Sequence, residues 1–296
     1  MRLPSAFPPP VVARLPSVVV RVAGDDARKY LEDVTSQRLA DLEAGEARPA
    51  LVLEADGEPV AVYDVVAIDD GLLLVAPDGA TAAHALETMA SRTFLLDVTF
   101  TRTDLAVVAF RGVDAPADLA GTVATIPRPH GVDVLTDDSD RVLTGAPTVD
   151  EPARILADWD IAAGVPRWGH EIAPPHLPEE MGLLPTHVHL KKGCYPGQEA
   201  VARMWNLGRP RRRLARVTID GRLDEGTEAG SGQGRVTVTG VSSTDPTVGL
   251  AYVGRDVEVG DVVDVNGATL TVADVVGADR EVPGHDPGAT RRRDQR

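Results

Sequence analysis

The chain has 296 residues, of which 43% are hydrophobic, and a formal net charge of −15. This length indicates about two domains, and the hydrophobic share is sufficient for a packed core. The acidic surface excludes duplex nucleic acid as the main partner unless a local basic patch overrides the net charge. A single cysteine excludes an intramolecular disulfide framework and fits a reducing cytoplasm.

Membrane and secretion signals are not evident in the sequence. No apolar run reaches the roughly 18 residues that a spanning helix needs. The N-terminus is interrupted by prolines and lacks the continuous apolar region of a signal peptide. We therefore expect a cytoplasmic protein with no membrane partner and no direct nucleic-acid partner.

The first half of the chain mixes helices with hairpins after a proline-rich, irregular arm at 1–16. The predicted elements are a helix at 24–34, strands at 50–55, 59–68 and 72–77, a helix at 79–92, and strands at 94–100 and 105–112. Asp-Gly pairs between apolar runs are typical of hairpins, because glycine accepts positive φ. Antiparallel pairing with interspersed helices predicts an α+β fold.

The second half begins with a well-defined helix at 151–164, with Pro152 in its first turn and Gly164 as its stop. A long Pro- and Gly-rich loop follows at 165–185, and loops of this length are usually functional or disordered. Short, closely spaced strands from Arg213 onward predict a small β-barrel or sandwich. The predicted division is an α+β region at 1–210 that includes a loop at 165–203, a barrel at 211–278 and a disordered tail at 279–296.

The single thiol lies in the stretch KKGCYPGQEAVAR at 191–203. Cys194 follows two lysines, and positive charge favours the reactive thiolate. Tyr195, Pro196, Gly197 and Gln198 favour a type II turn directly after it. A free cysteine is also commonly a small buried hydrophobe, so the local sequence leaves both interpretations open.

A metal site is the less favoured alternative. Four histidines precede Cys194 within 25 residues: His170, His176, His187 and His189. The last two would point to the same face of a strand, as two ligands could. Zinc needs three or four ligands, however, and the chain has one cysteine, so we predict no metal.

Residues 192–199, Lys-Gly-Cys-Tyr-Pro-Gly-Gln-Glu, resemble the signature Lys-Gly-Cys-Tyr-x-Gly-Gln-Glu of the YgfZ family, and 200–203 continue it. That family is related to the aminomethyltransferase (T protein) of the glycine cleavage system. Weaker similarity covers most of the chain and includes AGVPRWGHEI and PEEMGL before the signature. The resemblance implies the α+β folate-binding T-protein fold, with ferredoxin-like parts around a central cavity and a C-terminal β-barrel. It also implies a role in assembling or maintaining iron–sulfur enzymes, especially 4Fe–4S ones, and an indirect effect on tRNA modification.

Two departures from the related patterns affect the expected chemistry. Ala82 and Ala83 stand where the aminomethyltransferases carry Lys-Asp, whose Asp is catalytic, so aminomethyl transfer is not expected. Ala162 stands where many relatives carry a Glu that contacts the pterin, which a carboxylate can bind with two hydrogen bonds. We therefore expect weak tetrahydrofolate binding, unless Asp158, Asp160 or Glu171 compensates.

We predict Cys194 and Lys192 as the catalytic pair, with Lys192 holding the negative charge of the thiolate. The implied cofactor is tetrahydrofolate or a folate derivative, and the implied protein partners are iron–sulfur client or assembly proteins. The predicted cofactor contacts are Asp64, Glu171, Gln198, Glu199 and Arg203. Two alternatives stay open at this point: a tetrahydrofolate-dependent aminomethyltransferase and a ligand-free scaffold.

Overall fold

The structure is a computed structural model that describes residues 7–116, 119, 121–147, 149–207, 210–231 and 234–285. Its strands are β1 Val11–Arg14, β2 Val18–Ala23, β3 Ala47–Leu53, β4 Pro59–Ile68, β5 Gly71–Ala76, β6 Thr99–Arg102, β7 Ala106–Arg111, β8 Thr122–Arg128, β9 Gly131–Thr136, β10 Arg212–Asp220, β11 Glu228–Ser231, β12 Gly234–Val241, β13 Val248–Gly254, β14 Val262–Val265 and β15 Ala268–Val275. Its helices are α1 Ala27–Val34, α2 Gly79–Ala83, α3 Ser139–Leu143, α4 Pro152–Ala163, α5 Leu184–His187 and α6 Gln198–Leu207.

Three antiparallel sheets make up the molecule, which confirms the predicted α+β class. The first has four strands in the order β1-β7-β9-β8, and the second has five in the order β3-β4-β5-β2-β6. The third has six strands in the order β11-β12-β13-β10-β15-β14. Its edge strands β11 and β14 approach each other, so this sheet is nearly closed into a barrel. Among the described residues, its strands pair only with one another.

The sheets are amphipathic in the way that the sequence indicates. In β4, inward residues such as Ala61, Tyr63 and Val65 are buried, and they alternate with less buried neighbours. These side chains pack with α1 and α2 in one core, while a separate core fills the barrel. A further core joins the barrel to α6 and the loop before it.

The prediction of helix at 151–164 is confirmed by α4. Pro152 occupies its first turn, and Gly164 ends it with φ of 70°, in the left-handed region that glycine favours. The segment after α2 stays helical to Arg92 but passes through a π turn at His84–Met89 and a 3₁₀ turn at Ala90–Arg92. The predicted helix at 79–92 is therefore present, with irregular hydrogen bonding in its second half.

Three predictions of local structure are wrong. The arm at 1–16 was expected to be irregular, but β1 pairs with β7. The strand expected at 94–100 begins only at Thr99, because Leu95 has φ of 66° and is 88% exposed. The disordered tail was expected from 279, yet Val282 is buried in the core beside the barrel. Residues 286–296 of that predicted tail lie outside the described residues.

Among the described residues, no helix is long and apolar enough to cross a membrane. The longest regular α-helix among them, α4, has 12 residues, whereas a membrane span needs roughly 20.

Candidate functional site

A cavity of about 600 Å³ lies where the two N-terminal sheets, α4 and the barrel meet. Its walls come from β4, β7, β8 and β9, from one face of α4, from the loop after α4 and from the end of β15. Cavities of about 300–1,000 Å³ are typical of small-molecule sites. The expected central cavity is present, and the barrel contributes to its wall through Arg216 and Asp274.

One wall of the cavity carries a chain of alternating charges. Asp133 on β9 pairs with Arg111 at 2.8 Å and with Arg128 at 2.6 Å. Arg128 also holds Asp64 on β4 through both carboxylate oxygens. Asp133 is 1% exposed, and a buried carboxylate of this kind is stable only when it is paired. This network fixes β4, β8 and β9 around the cavity.

Asp64 is therefore placed in the cavity wall, as predicted from its position on the strand. Its carboxylate is already bound by the guanidinium of Arg128. A ligand that contacts Asp64 would have to share it with that arginine. Its role as a cofactor contact stays a prediction.

The three carboxylates that could compensate for Ala162 have different surroundings. Asp158 accepts hydrogen bonds from the Ser243 backbone at 2.7 Å and the Ser243 hydroxyl at 2.6 Å, so it joins α4 to the barrel. Glu171 is fully buried and pairs with Arg167 at 2.9 Å. Asp160 is the member of the three that lines the cavity.

Glu171 affects the cavity through Arg167. Its two oxygens accept bonds from the backbone and side chain of Arg167, which itself lines the cavity. Glu171 is not among the lining residues. Its predicted contact with the cofactor would be indirect in this arrangement, because the guanidinium lies between it and the cavity.

His187 lines the cavity at the end of α5, where a strand was expected. The prediction that His187 and His189 share one face of a strand is therefore wrong. The short helix forms because Leu184 packs into the core and His187 N–H bonds to the Leu183 carbonyl at 2.8 Å. Burial lowers the pKa of His187 to about 4, so its imidazole is neutral at pH 7.

The remaining histidines are dispersed. His176 stacks on Tyr252 with a centroid distance of 3.9 Å, and His170 contacts Glu225 at 3.0 Å. In the part of the chain that the structure describes, no group of three or more His, Cys, Asp or Glu side chains could hold a metal ion.

Cys194 lies in an exposed loop that leads into α6. The expected turn follows it: the Gln198 N–H donates to the Tyr195 carbonyl at 3.3 Å, and Gly197 has φ of 80°. A Cβ on Gly197 would meet the Glu54 carbonyl oxygen at 2.6 Å. The turn is therefore in close contact with the hairpin between β3 and β4. The thiol is exposed, which favours the first of the two interpretations left open by the sequence.

Lys192 reaches toward the C-terminal end of α1. Its ammonium donates to the carbonyls of Glu32 and Thr35 and lies 4.8 Å from the centre of the Tyr195 ring. Helix C-termini attract positive charge, which explains this position. Burial lowers the pKa of Lys192 to about 8, opposed by the charges of Glu32, Asp33 and Cys194. The ammonium of Lys192 therefore interacts with the C-terminal end of α1 as well as with the charge of the Cys194 thiolate.

The other predicted contacts lie on α6 and not in the cavity wall. Gln198 is half-buried at the start of α6, while Glu199 and Arg203 are exposed. Glu199 and Arg203 are four residues apart on α6, but they form no ion pair with each other in the described part of the chain. None of the three is among the residues that line the cavity, and their roles as cofactor contacts stay predictions.

Four charged residues line the cavity although they were not predicted from the sequence: Arg111, Arg128, Asp133 and Arg167. Asp133 offered a signal, since it interrupts the apolar strand GVDVLT, where a charge needs a partner. Arg111 offered none, because its partner Asp133 lies on a different strand. Arg128 and Arg167 have carboxylates nearby in sequence, Asp133 and Glu171, but the sequence does not show that these pairs border a cavity.

The fold and the cavity define an antiparallel α+β protein with a small-molecule-sized chamber between two sheets and a barrel. No family model matches the chain. Among solved structures, it is similar to the glycine cleavage system aminomethyltransferase T from Bartonella henselae, with a TM-score of 0.72. The identity is 16%, and the match covers 92% of this chain and 87% of the other. The chain therefore has an aminomethyltransferase T-like fold, as the sequence resemblance implied.

Proposed function

We propose that this chain is a folate-binding-like protein of the YgfZ type that supports the assembly or repair of 4Fe–4S enzymes. The observation that carries the proposal is the cavity of about 600 Å³ in a fold shared with an aminomethyltransferase T. The signature at 192–199 supports the family resemblance. The protein partners would be iron–sulfur client or assembly proteins, and the effect on tRNA modification would follow from one such client.

Cys194 is the residue we assign to the chemistry outside the cavity. Its thiol is exposed, and as a thiolate it can act as a soft ligand or a nucleophile. The turn that follows it is anchored by Gly197 against the β3–β4 hairpin. A client protein could therefore reach the thiol without a change in the core.

An aminomethyltransferase is the second function considered, and the site does not favour it. Ala82 is buried in α2 where the catalytic pair of those enzymes would begin. The carboxylate of Asp78, just before α2, accepts a hydrogen bond from the Thr81 N–H at 2.7 Å and so caps this helix. Its charge is engaged in holding the helix terminus. A ligand-free scaffold would be favoured by a collapsed cavity and a buried Cys194, and the structure has neither.

Folate binding is tested by calorimetric titration with 5-formyltetrahydrofolate, an air-stable reduced folate. We expect saturable binding to one site, weakened by the loss of the pterin Glu at Ala162. Absence of binding at millimolar ligand would contradict the folate part of the proposal.

The iron–sulfur role is tested in cells that lack this protein and carry a 4Fe–4S reporter enzyme. We expect wild type to raise reporter activity and Cys194→Ala to fail to do so. The control is Cys194→Ala combined with Ser91→Cys, which restores one exposed thiol on the 3₁₀ turn after α2. Full reporter activity with Cys194→Ala would show that the proposed function does not require the thiol.

A further inference from the structure

One face of α4 forms a wall of the cavity. Leu156, Asp160, Ala163 and Gly164 line it, at the spacing that places side chains on one side of a helix. Ala162 is not among the lining residues, and its methyl group is buried. A side chain at 160 therefore projects into the chamber from a different direction than a side chain at 162.

Asp160 differs from Asp64 and Asp133, which also line the cavity. Asp64 and Asp133 are both bound by arginines. In the described part of the chain, the side chain of Asp160 makes no hydrogen bond or ion pair. Its side chain is half-buried, and a carboxylate that is partly withdrawn from water gains from hydrogen-bond donors that replace the lost hydration. A carboxylate without a side-chain partner on the wall of an open chamber is an acceptor that a ligand with N–H donors could engage in place of solvent.

The charges around Asp160 come from four elements. Arg111 on β7, Arg128 on β8, Asp133 on β9 and Arg167 after α4 all act on its carboxylate. Burial raises the pKa of Asp160 to about 6, Asp133 adds to this effect, and the three arginines oppose it. Asp160 is therefore mostly ionised at pH 7 and can accept hydrogen bonds. The nearby guanidiniums disfavour a fully cationic ligand, so neutral N–H donors are the better match.

We infer that Asp160 is a specificity-determining residue of the cavity, which accepts paired hydrogen bonds from an edge such as the amino-pyrimidinone of a pterin. The inference rests on the proposed function and names the group that would replace the carboxylate absent at Ala162. It assigns the pterin to the α4 wall, between the Arg128 network and the Arg167–Glu171 pair.

The test uses calorimetric titration of wild type, Asp160→Asn and Asp160→Glu with two probes. The first probe is 5-formyltetrahydrofolate, which carries the donor edge, and the second is p-aminobenzoylglutamate, which lacks it. We expect Asp160→Asn to weaken the first probe by about tenfold to a hundredfold, because bonds to a charged acceptor are lost. Asp160→Glu should retain part of the affinity, and the second probe should bind all three proteins alike.

A pH series separates recognition from a structural role. Wild-type affinity for the first probe should fall as the pH drops below about 6, where Asp160 takes up a proton. The series should be flatter for Asp160→Asn, and Asp140→Asn, an exposed carboxylate on α3, should behave as wild type.

Two outcomes would overturn the inference. Unchanged affinity of Asp160→Asn for 5-formyltetrahydrofolate would overturn it while leaving the folate cavity in place. No binding of this probe to wild type would overturn both the inference and the folate part of the proposed function, and the reporter experiment on Cys194 would still stand by itself.

Discussion

The cavity wall and the Cys194 loop hold their polar groups in opposite ways. In the wall, Asp133 is 1% exposed and is joined to two arginines, so its charge is fixed by partners from other strands. In the loop, Cys194 is exposed and its position depends on a local turn at Gly197. The wall places paired charges inside a chamber, whereas the loop presents one thiol to the outside.

This difference implies that substitutions in the wall should change stability and ligand binding together. Substitutions of the exposed thiol should change function with little effect on stability. The turn that supports the thiol is the exception, because it is in close contact with the β3–β4 hairpin.

The largest effect is expected for Asp133→Ala. It leaves the guanidiniums of Arg111 and Arg128 without their shared carboxylate, and removal of one partner from a buried ion pair costs about 3–5 kcal/mol. Urea denaturation measures the free energy of unfolding. The control is Asp33→Asn, which breaks the exposed pair with Lys29 and should cost about 0.5 kcal/mol or less. Equal effects of the two variants would show that the wall is not held by this network.

The next effect is expected for Gly197→Ala in the loop. Its φ of 80° disfavours a side chain, and the new Cβ would meet the Glu54 carbonyl oxygen at 2.6 Å. We expect a loss of about 2–3 kcal/mol in thermal unfolding experiments. Gly193→Ala is the matched control, because its Cβ would meet nothing within 4 Å and its φ is not positive. A loss at Gly193 as large as at Gly197 would contradict the packing of the turn.

Asp160→Asn should stabilise the protein at pH 7.5, unlike Asp133→Ala. The folded-state pKa of Asp160 is raised from 3.8 to about 6, so the folded protein holds this proton more tightly than the unfolded chain does. Its charge therefore lowers stability above pH 6, and this cost disappears as the pH falls through 6 toward 4. We expect a gain of about 1–2 kcal/mol at pH 7.5, after allowance for the half-buried position of the side chain.

The measurement is the difference in free energy of unfolding between Asp160→Asn and wild type across pH 3.5–8. The gain should shrink toward zero near pH 4. A loss of stability at pH 7.5 would show that Asp160 is a structural partner in the wall and would weaken its assignment to ligand recognition.

The smallest effect on stability is expected for Cys194→Ala. The side chain is exposed, so its removal leaves no cavity, and the free energy of unfolding should change by about 0.5 kcal/mol or less. Maleimide labelling of native wild type should go to completion without denaturant. Labelling that requires denaturant would show that the thiol is buried, and the loop would then not differ from the wall in exposure.

Local sequence determined the elements whose signals lie within a few residues. The strand at Pro59–Ile68 and the helix α4 follow from apolar periodicity, Asp-Gly turns, Pro152 and Gly164. The turn after Cys194 follows from Pro196 and Gly197, since each restricts or permits a particular φ. The strand expected at 94–100 was wrong because apolar composition does not reveal whether a partner strand is present. Of that segment, Thr99 and Phe100 pair with β2, as the start of β6.

Only the tertiary structure decided which polar residues meet in the cavity. Asp64 and Arg128 are 64 positions apart, and Asp160 lies on a helix that follows both sheets. A single sequence contains no local signal for such contacts, because their energies depend on burial and on partners that arrive through the packing of separate sheets. Sequence thus determined the turn after the thiol. Folding determined that Cys194 is exposed, that Asp133 is paired and that Asp160 faces the chamber.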